Sequence, residues 1–329
     1  MQEDRRVVCA LVVLFLFTAF CSAVTNWDLQ QVGPDGFPVQ GCYAYDYNSA
    51  SIEGIILNKP EQMMDVNEEW QIYVQGNAGD HAGTAIYMRK NNFSLGQIYS
   101  EQQWADELYR IGHDPNGNYE FQPGDRVRVT GFIMFYRGKT NINEWHSIDP
   151  NNNFVIDLID PVAGLPQPEP IILAMVKDAN NFIFDYTRAV GCERYQGMLV
   201  RVNDINIISG NWQPDGHLVI GDSSGHIFDV NLGRGEGFSK YPMPTGPIDV
   251  IGIFDQEAPG EYPDFKTGYR LWVINYDGNG SVLADNCGLN GYFAGDINRD
   301  CIVNFADFAE LASDWLKCSN PSFDDCTTP

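Results

Sequence analysis

The feature that most constrains the fold is a series of strand-like segments that occurs twice between residues 24 and 281. Each segment alternates apolar and polar residues over roughly four to eight positions, which is typical of antiparallel strands with one buried face. The first copy comprises residues 51–57, 68–88, 123–138 and 153–160, and the second comprises residues 195–208, 216–230, 245–260 and 269–275. Because the order of segments is the same, we expect two domains of similar β architecture.

Two features predict that each copy closes into a small barrel. Gly131 and Gly252 interrupt strand patterns, where a missing side chain often marks the bend that lets a sheet close on itself. In the first copy, a capping box at residues 100–103 and the apolar residues that follow at helical spacing predict a helix over residues 100–111. The equivalent stretch of the second copy, residues 233–244, is short and rich in Gly and Pro, so we expect a loop there.

The doubled pattern resembles tandem OB-fold domains, which have a helix at this point of the chain to close the bottom of the barrel. The second copy is also similar, through the sequence YQGMLVRV at residues 195–202, to OB-like modules that accompany secreted bacterial nucleases. The resemblance implies a first OB-like domain over residues 24–160 and a second over residues 171–283. The Pro-rich residues 161–170 between them are expected to form a semi-extended linker.

The N-terminus has the pattern of a secretory signal. Arg5 and Arg6 precede an apolar run over residues 7–20, and small residues suitable for a signal peptidase follow at 21–23. We therefore expect residues 1–23 to be removed and the mature protein to be secreted, without a membrane span, since the run is short and no second one occurs. A lipoprotein is the alternative, but the preceding Phe20 is too large for a lipid-accepting Cys21.

Residues 296–307 have the ligand pattern of a calcium-binding EF-hand loop. Oxygen-bearing side chains occupy loop positions 1, 3, 5, 9 and 12, and position 7 can offer its backbone carbonyl. The six candidate Ca²⁺ ligands are Asp296, Asn298, Asp300, Ile302, Asn304 and Asp307. Cys301 occupies position 6, where an EF-hand normally has Gly, at a backbone cost of about 1 kcal/mol. A solvated acidic turn before a helix is the alternative interpretation.

The sequence GDINRDCIVNFADFAELASDWL at residues 295–316 continues into an amphipathic helix and resembles one repeat of a type I dockerin. That resemblance implies a small α-helical, EF-hand-like calcium module over residues 284–329, with Ca²⁺ as its cofactor and a cohesin-like or cell-surface protein as its partner. A dockerin has two repeats, whereas only one is visible here. The expected fold is therefore mainly β: two tandem OB-like β-barrels followed by this module.

The cysteines agree with an oxidising compartment. Cys9 and Cys21 would leave with the signal, and the even set that remains suits disulfides. The C-terminal module is too small to be held by apolar burial alone, so we prefer the pairs Cys287–Cys301 and Cys318–Cys326 there. Cys42 and Cys192 are then left as a remaining pair, although sequence does not determine connectivity. A zinc site is a weaker alternative, because no C-x-x-C pair or neighbouring His is present.

The charge balance argues against a nucleic acid partner. The chain has 20 Lys and Arg residues against 44 Asp and Glu residues, for a formal net charge of −24. Because proteins bind phosphate backbones through Lys and Arg, such a surface would repel a polyanion unless it carried a local basic patch, and none is evident.

The sequence contains no recognisable catalytic set. It lacks a G-x-S-x-G elbow, an H-E-x-x-H pair, a P-loop and a G-x-G-x-x-G after a strand. His217 and His226 are expected on one hairpin with Asp222 in its turn, as solvent-exposed residues or, alternatively, in a metal or catalytic role, and no pair of carboxylates stands out as a glycosidase site. The aromatic candidates for stacking on a sugar ring or base, with core packing as the alternative, are Trp70, Tyr73, Tyr87, Tyr136, Trp145 and Trp212. Of these, Trp145 and Trp212 lie in polar, loop-like surroundings and are the two most worth testing as ligand-binding residues.

Two functions follow as hypotheses. The first is a secreted, non-catalytic, calcium-binding protein whose barrels bind a ligand or partner within an extracellular assembly for polysaccharide degradation or at a cell surface. The second is a secreted hydrolase of polysaccharide or nucleic acid with an active site that the motifs do not identify. It rests on association alone, since dockerin-like and OB-like modules accompany degradative enzymes.

Overall fold

The structure is a computed structural model that describes residues 24–39, 48–92, 97–116, 119–145, 147–278, 295 and 305–314. The first part contains α1 (Asn26–Leu29), β1 (Ser49–Ile56), β2 (Glu69–Gln75), β3 (Gly83–Arg89), β4 (Asn91–Asn92), β5 (Gln97–Ile98), α2 (Glu101–Gly112), β6 (Arg126–Tyr136), β7 (Lys139–Asn143) and β8 (Val155–Asp160). The second part contains β9 (Glu169–Ile171), β10 (Lys177–Asp178), β11 (Asn181–Phe182), β12 (Leu199–Gly210), β13 (His217–Gly221), β14 (Ile227–Leu232), α3 (Gly237–Lys240), β15 (Ile248–Gln256), β16 (Tyr269–Val273) and α4 (Phe305–Asp314). The described protein is mainly β, as the sequence predicts.

The first barrel is closed by strands β1, β2, β3, β7 and β6, in that order, because β6 pairs back onto β1. Neighbouring strands are antiparallel except for β3 and β7, which are parallel. Alternate side chains of β2, namely Trp70, Ile72 and Val74, point into the core. At Gly131 of β6, an added Cβ would lie 2.5 Å from the Cβ of Phe154, so this glycine permits the close packing inside the barrel.

The first barrel contains one strand that was not predicted. The strand expected over residues 153–160 is present as β8, but it pairs with β6 outside the closed ring. The missing barrel strand is β7, whose sequence KTNIN contains a single apolar residue. Apolar alternation does not identify this strand, because all five of its residues are buried although most are polar.

Helix α2 confirms the prediction for residues 100–111 to within one residue. The Ser100 hydroxyl accepts a hydrogen bond from the Gln103 amide at 3.3 Å, and the Gln103 side chain accepts one from the Ser100 amide at 2.9 Å. These two bonds satisfy amides that the first helical turn otherwise leaves unpaired. Trp104 and Ile111 are buried on the face that covers the barrel, and the Trp104 indole donates to the carbonyl of Val66 at 2.7 Å.

The second barrel repeats the same order with β12, β13, β14, β16 and β15, and closes through pairing of β15 with β12. The parallel pair is now β14 and β16. The connection expected to be a loop, residues 233–244, contains the single helical turn α3. At Gly252 an added Cβ would lie 2.8 Å from the carbonyl oxygen of Trp272, which parallels the role of Gly131.

The Pro-rich connection is attached to both barrels. Asp125 accepts a hydrogen bond from the Val162 amide at 2.8 Å, and Gly164 donates to the Gly124 carbonyl at 2.9 Å. Residues 169–171 then form β9, which adds in parallel to β12. The segment predicted to be a semi-extended linker therefore becomes part of the second sheet before it ends.

The C-terminal prediction is described only in part. Five of the six candidate calcium ligands, Asp296, Asn298, Asp300, Ile302 and Asn304, lie outside the described residues. Asp307 lies in α4, but its side chain is not described, and α4 itself agrees with the predicted helix after the loop. Among the described residues, no helix has the length and hydropathy to cross a membrane.

The predicted disulfide pairs are likewise described only in part. Cys42, Cys287, Cys301, Cys318 and Cys326 lie outside the described residues. Cys192 is buried and has a free thiol in the structure, whose sulfur donates to the Val176 carbonyl at 3.2 Å.

The backbones of the two barrels come into direct contact at a pair of glycines. The Gly83 amide at the start of β3 donates to the Gln196 carbonyl at 2.8 Å. A Cβ on Gly83 would lie only 2.1 Å from the Gly197 carbonyl oxygen, and a Cβ on Gly197 would lie 2.3 Å from the Gly83 carbonyl. Because both obstacles are backbone atoms, no side-chain rotation can relieve such a clash.

We therefore expect Gly83→Ala to lower the free energy of unfolding by about 1–3 kcal/mol, as overpacking does. The matched control is Gly112→Ala at the end of α2, where a Cβ would meet nothing within 4 Å. It should remain within about 1 kcal/mol of the parent. Urea unfolding followed by tryptophan fluorescence measures both variants, and equal stability of the two would contradict this account of the contact.

Candidate binding cleft between the two barrels

Polar side chains on the outer face of the first barrel are buried against the second barrel. In β7, Lys139, Asn141 and Asn143 are at most 7% exposed, and in β2 the same holds for Gln71 and Gln75. Their neighbours along each strand fill the barrel core, so the strands are covered on both sides. A sheet face covered in this way is more typical of an interior layer than of a surface.

The centre of the contact between barrels is the carboxylate of Asp255 in β15, which is 1% exposed. One oxygen accepts from Tyr73 at 2.6 Å and from Lys139 at 2.5 Å, both from the first barrel. The other oxygen accepts from Arg270 at 3.0 Å and from the Trp272 indole at 3.0 Å, both from the second barrel. The carboxylate therefore has donors from both domains.

The charges around Asp255 keep it ionised despite its burial. Loss of solvent alone would raise its pKa, but Lys139 and Arg270 outweigh that effect and hold the pKa well below its usual range. The Tyr73 hydroxyl responds in the opposite direction, since burial and then the nearby carboxylate raise its pKa well above the usual value. Tyr73 therefore donates its proton to Asp255 in the neutral phenol form.

An open cleft of about 180 Å³ lies beside this network. We call it the inter-barrel cleft. The first barrel contributes Met64, Glu69, Gln71, Tyr87, Arg89, Met134, Tyr136, Lys139, Asn141 and Asn143, and the second contributes Glu257 and Arg270. The first-barrel residues come largely from the outer face of β2, β3 and β7, so the barrel supplies the floor and the second domain supplies a wall.

The charges in and under the cleft compensate one another. Arg89 lies 3.4 Å from Glu69 across β2 and β3. Arg270 lies 2.6 Å from Glu257, and Lys139 and Arg270 share Asp255. Three cations thus face three anions, namely Arg89, Lys139 and Arg270 against Glu69, Glu257 and Asp255.

Amide and phenol groups complete the lining. The Asn143 amide donates to the Asn141 side-chain oxygen at 2.9 Å, which orients both amides along β7. Burial, followed by the negative charge of Glu69, raises the pKa of Tyr87 well above its usual value, so the phenol remains protonated. Neutral donors and acceptors of this kind suit hydroxyl groups of a ligand.

One rim of the cleft is formed where the β6–β7 turn contacts the second barrel. Tyr136 is 52% exposed there, and the Arg137 guanidinium lies 5.6 Å from its ring centre. Arg137 also donates to the carbonyls of Ala258 and Gly260 at 2.8 and 2.9 Å. The turn is therefore fixed to the second domain, leaving the Tyr136 ring beside the opening.

The two tryptophans predicted to bind ligand lie elsewhere. Trp145 is half-buried and stacks on Phe132 with ring centres 5.0 Å apart. The Trp212 indole donates to the Tyr241 carbonyl at 2.9 Å, and its ring packs edge-on against Phe238. The structure brings neither side chain into the inter-barrel cleft, so a binding role for them stays a prediction.

Polar groups away from the cleft form local pairs. His217 bonds Asp229 and His226 bonds Asp222, each at 2.9 Å, while His81 bonds Glu169. No group of three or more His, Cys, Asp or Glu side chains suited to a metal ion occurs within the described ranges.

Two buried acids have pKa values raised to about 7, the range of a general acid. Burial is the main cause for both Glu144 and Glu193, and in each case a nearby arginine opposes it. Glu144 bonds Arg110, and Glu193 accepts from the Tyr269 hydroxyl at 2.5 Å. Neither carboxyl lines the inter-barrel cleft, so their pKa values reflect packing rather than access to a substrate there.

Sequence reasoning missed the polar residues of the cleft, although Tyr87 and Tyr136 were among the aromatic candidates for stacking on a ligand. Polar positions in an alternating strand normally face water, so Gln71, Gln75 and Asn141 gave no sign of burial. The sequence KTNIN of β7 could have identified them. It has too few apolar residues for a half-buried strand, yet it directly follows the turn after β6 and pairs with β6.

Comparison with protein-family models finds no match, and comparison with curated proteins finds none either. A solved structure described as "Molecular basis for abrogation of activation of pro-inflammatory cytokines" aligns over 68% of this chain and 87% of its own, at 10% identity and a TM-score of 0.27. "Structure of murine DNA binding protein bound with ds DNA" aligns over 68% and 93%, at 8% identity and 0.28. A deletion mutant of the single-stranded DNA binding protein from Thermus aquaticus aligns over 68% and 90%, at 10% identity and 0.18. Likenesses this distant carry no conclusion about function.

The Asp255 network predicts a large effect of one isosteric change. Asp255→Asn leaves Lys139 and Arg270 buried without their shared anion, which should lower the free energy of unfolding by about 3–5 kcal/mol. The matched control is Glu53→Gln, which removes a surface anion paired with Arg128 at 2.5 Å and should cost about 0–1 kcal/mol.

The pH dependence of this difference has a definite sign. Because folding lowers the pKa of Asp255, its contribution is fully present above the unfolded-state pKa of about 3.9 and is lost as pH falls toward the folded-state pKa. Urea titrations should therefore give a constant difference between parent and Asp255→Asn from about pH 5 to 8 and a smaller one in stronger acid. A difference that vanishes near neutral pH would contradict the network.

Proposed function

We propose that this protein is a secreted, non-catalytic binding protein whose inter-barrel cleft takes an uncharged, polyhydroxylated ligand, of which a saccharide is the natural class. The observation that carries the proposal is the compensation of charge: each of the three cations that line the cleft, Arg89, Lys139 and Arg270, already has an anionic partner. A charged ligand would have to displace one of these partners, whereas hydroxyl groups can bond to the amides and phenols without doing so.

The connectivity of both barrels supports an OB-like assignment. Each has five strands in which the first pairs with the fourth, the third and fifth are parallel, and a helix or helical turn joins the third to the fourth. In OB folds the outer face of the second and third strands is a common ligand face for oligosaccharides and oligonucleotides. The inter-barrel cleft uses the corresponding face of the first barrel, on β2 and β3.

The cleft is less suited to nucleic acid. Phosphate binding needs cations that are free to exchange counterions, and Lys139 and Arg270 are held by the buried Asp255. The overall charge of −24 opposes a polyanion as well.

The saccharide proposal is tested with a glycan array followed by calorimetry on the glycan that binds. Asn141→Ala removes a buried amide from the cleft floor and should weaken binding by about tenfold, or about 1.4 kcal/mol. Asn206→Ala, at an exposed position of β12, is the matched control and should leave affinity unchanged.

The salt dependence of the affinity distinguishes a saccharide ligand from a nucleic acid in the same experiment. Saccharide affinity should change less than about twofold between 50 and 500 mM NaCl, whereas nucleic acid binding falls steeply over that range. Absence of binding to every neutral glycan on the array, or strong salt dependence of what does bind, would overturn the proposal.

The C-terminal module is proposed to bind Ca²⁺ through the loop at residues 296–307 and to tether the barrels to a cohesin-like or cell-surface protein. Helix α4 supports this role, because Phe305 and Phe308 are 88% and 62% exposed and offer an apolar surface to a partner. Within the assembly, the tether would hold the cleft near its glycan.

Calorimetric titration with Ca²⁺ tests the metal site directly. The mature protein should bind one ion, and Asp296→Ala and Asp300→Ala should each abolish or greatly weaken binding, because each removes a charged oxygen ligand. Asp314→Ala, in α4 beyond the last loop position, should bind as the parent does. Lack of Ca²⁺ binding by the parent protein would overturn the calcium proposal but would leave the proposal for the cleft unaffected.

A further inference from the structure

The first barrel has a second cavity, which lies beneath helix α2. It has a volume of about 300 Å³ and is bounded by α2, the connection from β1 to β2, and residues 120–122. We call it the α2 cavity. It shares no lining residue with the inter-barrel cleft.

The deepest lining of the α2 cavity is apolar. Ile56, Trp70, Ile72 and Ile111 all line it and are at most 3% exposed. Asn58 is the buried polar residue among them, and its side chain is fully engaged: its amide donates to the Gln71 carbonyl at 2.9 Å, and its oxygen accepts from the Tyr73 amide at 2.8 Å. The base of the cavity therefore offers few free hydrogen-bonding groups to water.

The volume of the cavity, which opens to solvent at its mouth, is sufficient for a small aromatic molecule. For comparison, an enclosed apolar cavity of about 150 Å³ binds benzene. The α2 cavity is about twice that size. It reaches the lower end of the range of about 300–1,000 Å³ found for small-molecule sites.

The mouth of the cavity is polar and carries one cation, Lys59, against two anions, Glu61 and Glu120. These residues and His113 are all partly or fully exposed. Within the described residues, the side chains of Lys59, Glu61 and Glu120 make no hydrogen bond or ion pair. The mouth therefore offers donors and acceptors to a hydroxyl group, and its excess of carboxylates disfavours an anionic head group.

We propose that the α2 cavity binds a small uncharged aromatic molecule with one hydroxyl group, of the phenol or benzyl alcohol class. The aromatic ring would contact Trp70 and Phe121, which both line the cavity, and aromatic pairs contribute beyond the area that they bury. The hydroxyl would bond at the mouth. This site is independent of the cleft, so it neither requires nor excludes glycan binding.

Calorimetry on the full chain tests the site with phenol and benzyl alcohol as probes. Benzoate has a similar shape but carries a negative charge, and it should bind at least about fivefold more weakly than benzyl alcohol, because the apolar part of the cavity does not compensate the charge and the mouth has more carboxylates than cations. No saturable binding of either neutral probe, or equal binding of benzoate and benzyl alcohol, would overturn the proposal.

Variants of α2 locate the binding. Leu108→Trp places an indole in the cavity and should weaken benzyl alcohol binding by at least about tenfold, or 1.4 kcal/mol. Tyr109→Trp adds the same side chain to the next position, where Tyr109 is 58% exposed and does not line the cavity, and should change affinity less than about twofold. Equal affinities of these two variants would show that the probe binds elsewhere.

A second variant at the same position covers the case in which Leu108→Trp does not fold, which circular dichroism reveals. Leu108→Ala enlarges the cavity and should shift its preference toward the larger 2-naphthol relative to phenol by at least about threefold. An unchanged ratio of the two affinities would overturn the assignment of the site to this cavity.

Discussion

The buried carboxylate of Asp255 is the interaction on which the arrangement of the two barrels depends. An ionised group without solvent needs a full set of donors, and here they come in equal part from the first barrel, through Tyr73 and Lys139, and from the second, through Arg270 and Trp272. Neither barrel can satisfy the charge alone. Separating or rotating them would leave buried charges unpaired, so the network specifies one relative orientation.

The first barrel has two cavities of opposite chemistry, and only the inter-barrel cleft depends on that orientation. On its outer face, the second barrel covers β2, β3 and β7, and the polar cleft that remains has its charges already matched. Beneath α2, the cavity is formed by the first barrel alone and is apolar at its base. The difference follows from what covers each face: a second domain with its own charged groups on one side, and an amphipathic helix on the other.

Sequence patterns identified those elements whose burial follows a simple period. The capping box at Ser100 and Gln103 and the apolar face of α2 predicted that helix nearly to its ends, and strand alternation predicted two barrels of the same order. β7 was missed and β8 was given its place, because β7 carries polar side chains on a face that is buried only in the tertiary structure. The polar floor of the cleft was missed for the same reason, although two of its aromatic residues, Tyr87 and Tyr136, were among the candidates for stacking on a ligand.

The sequence by itself determined local features: the strands that alternate apolar and polar residues, and the start of α2. These depend on residues close together in the chain, whose spacing is visible in the sequence. The tertiary structure alone decided that Asp255, Lys139 and Asn141 are buried and that Lys139 bonds Asp255 across the two barrels. Whether a residue loses contact with solvent depends on what packs against it. Here the packing residues belong to another domain, more than a hundred residues away in the sequence, so no local sequence pattern indicates the burial.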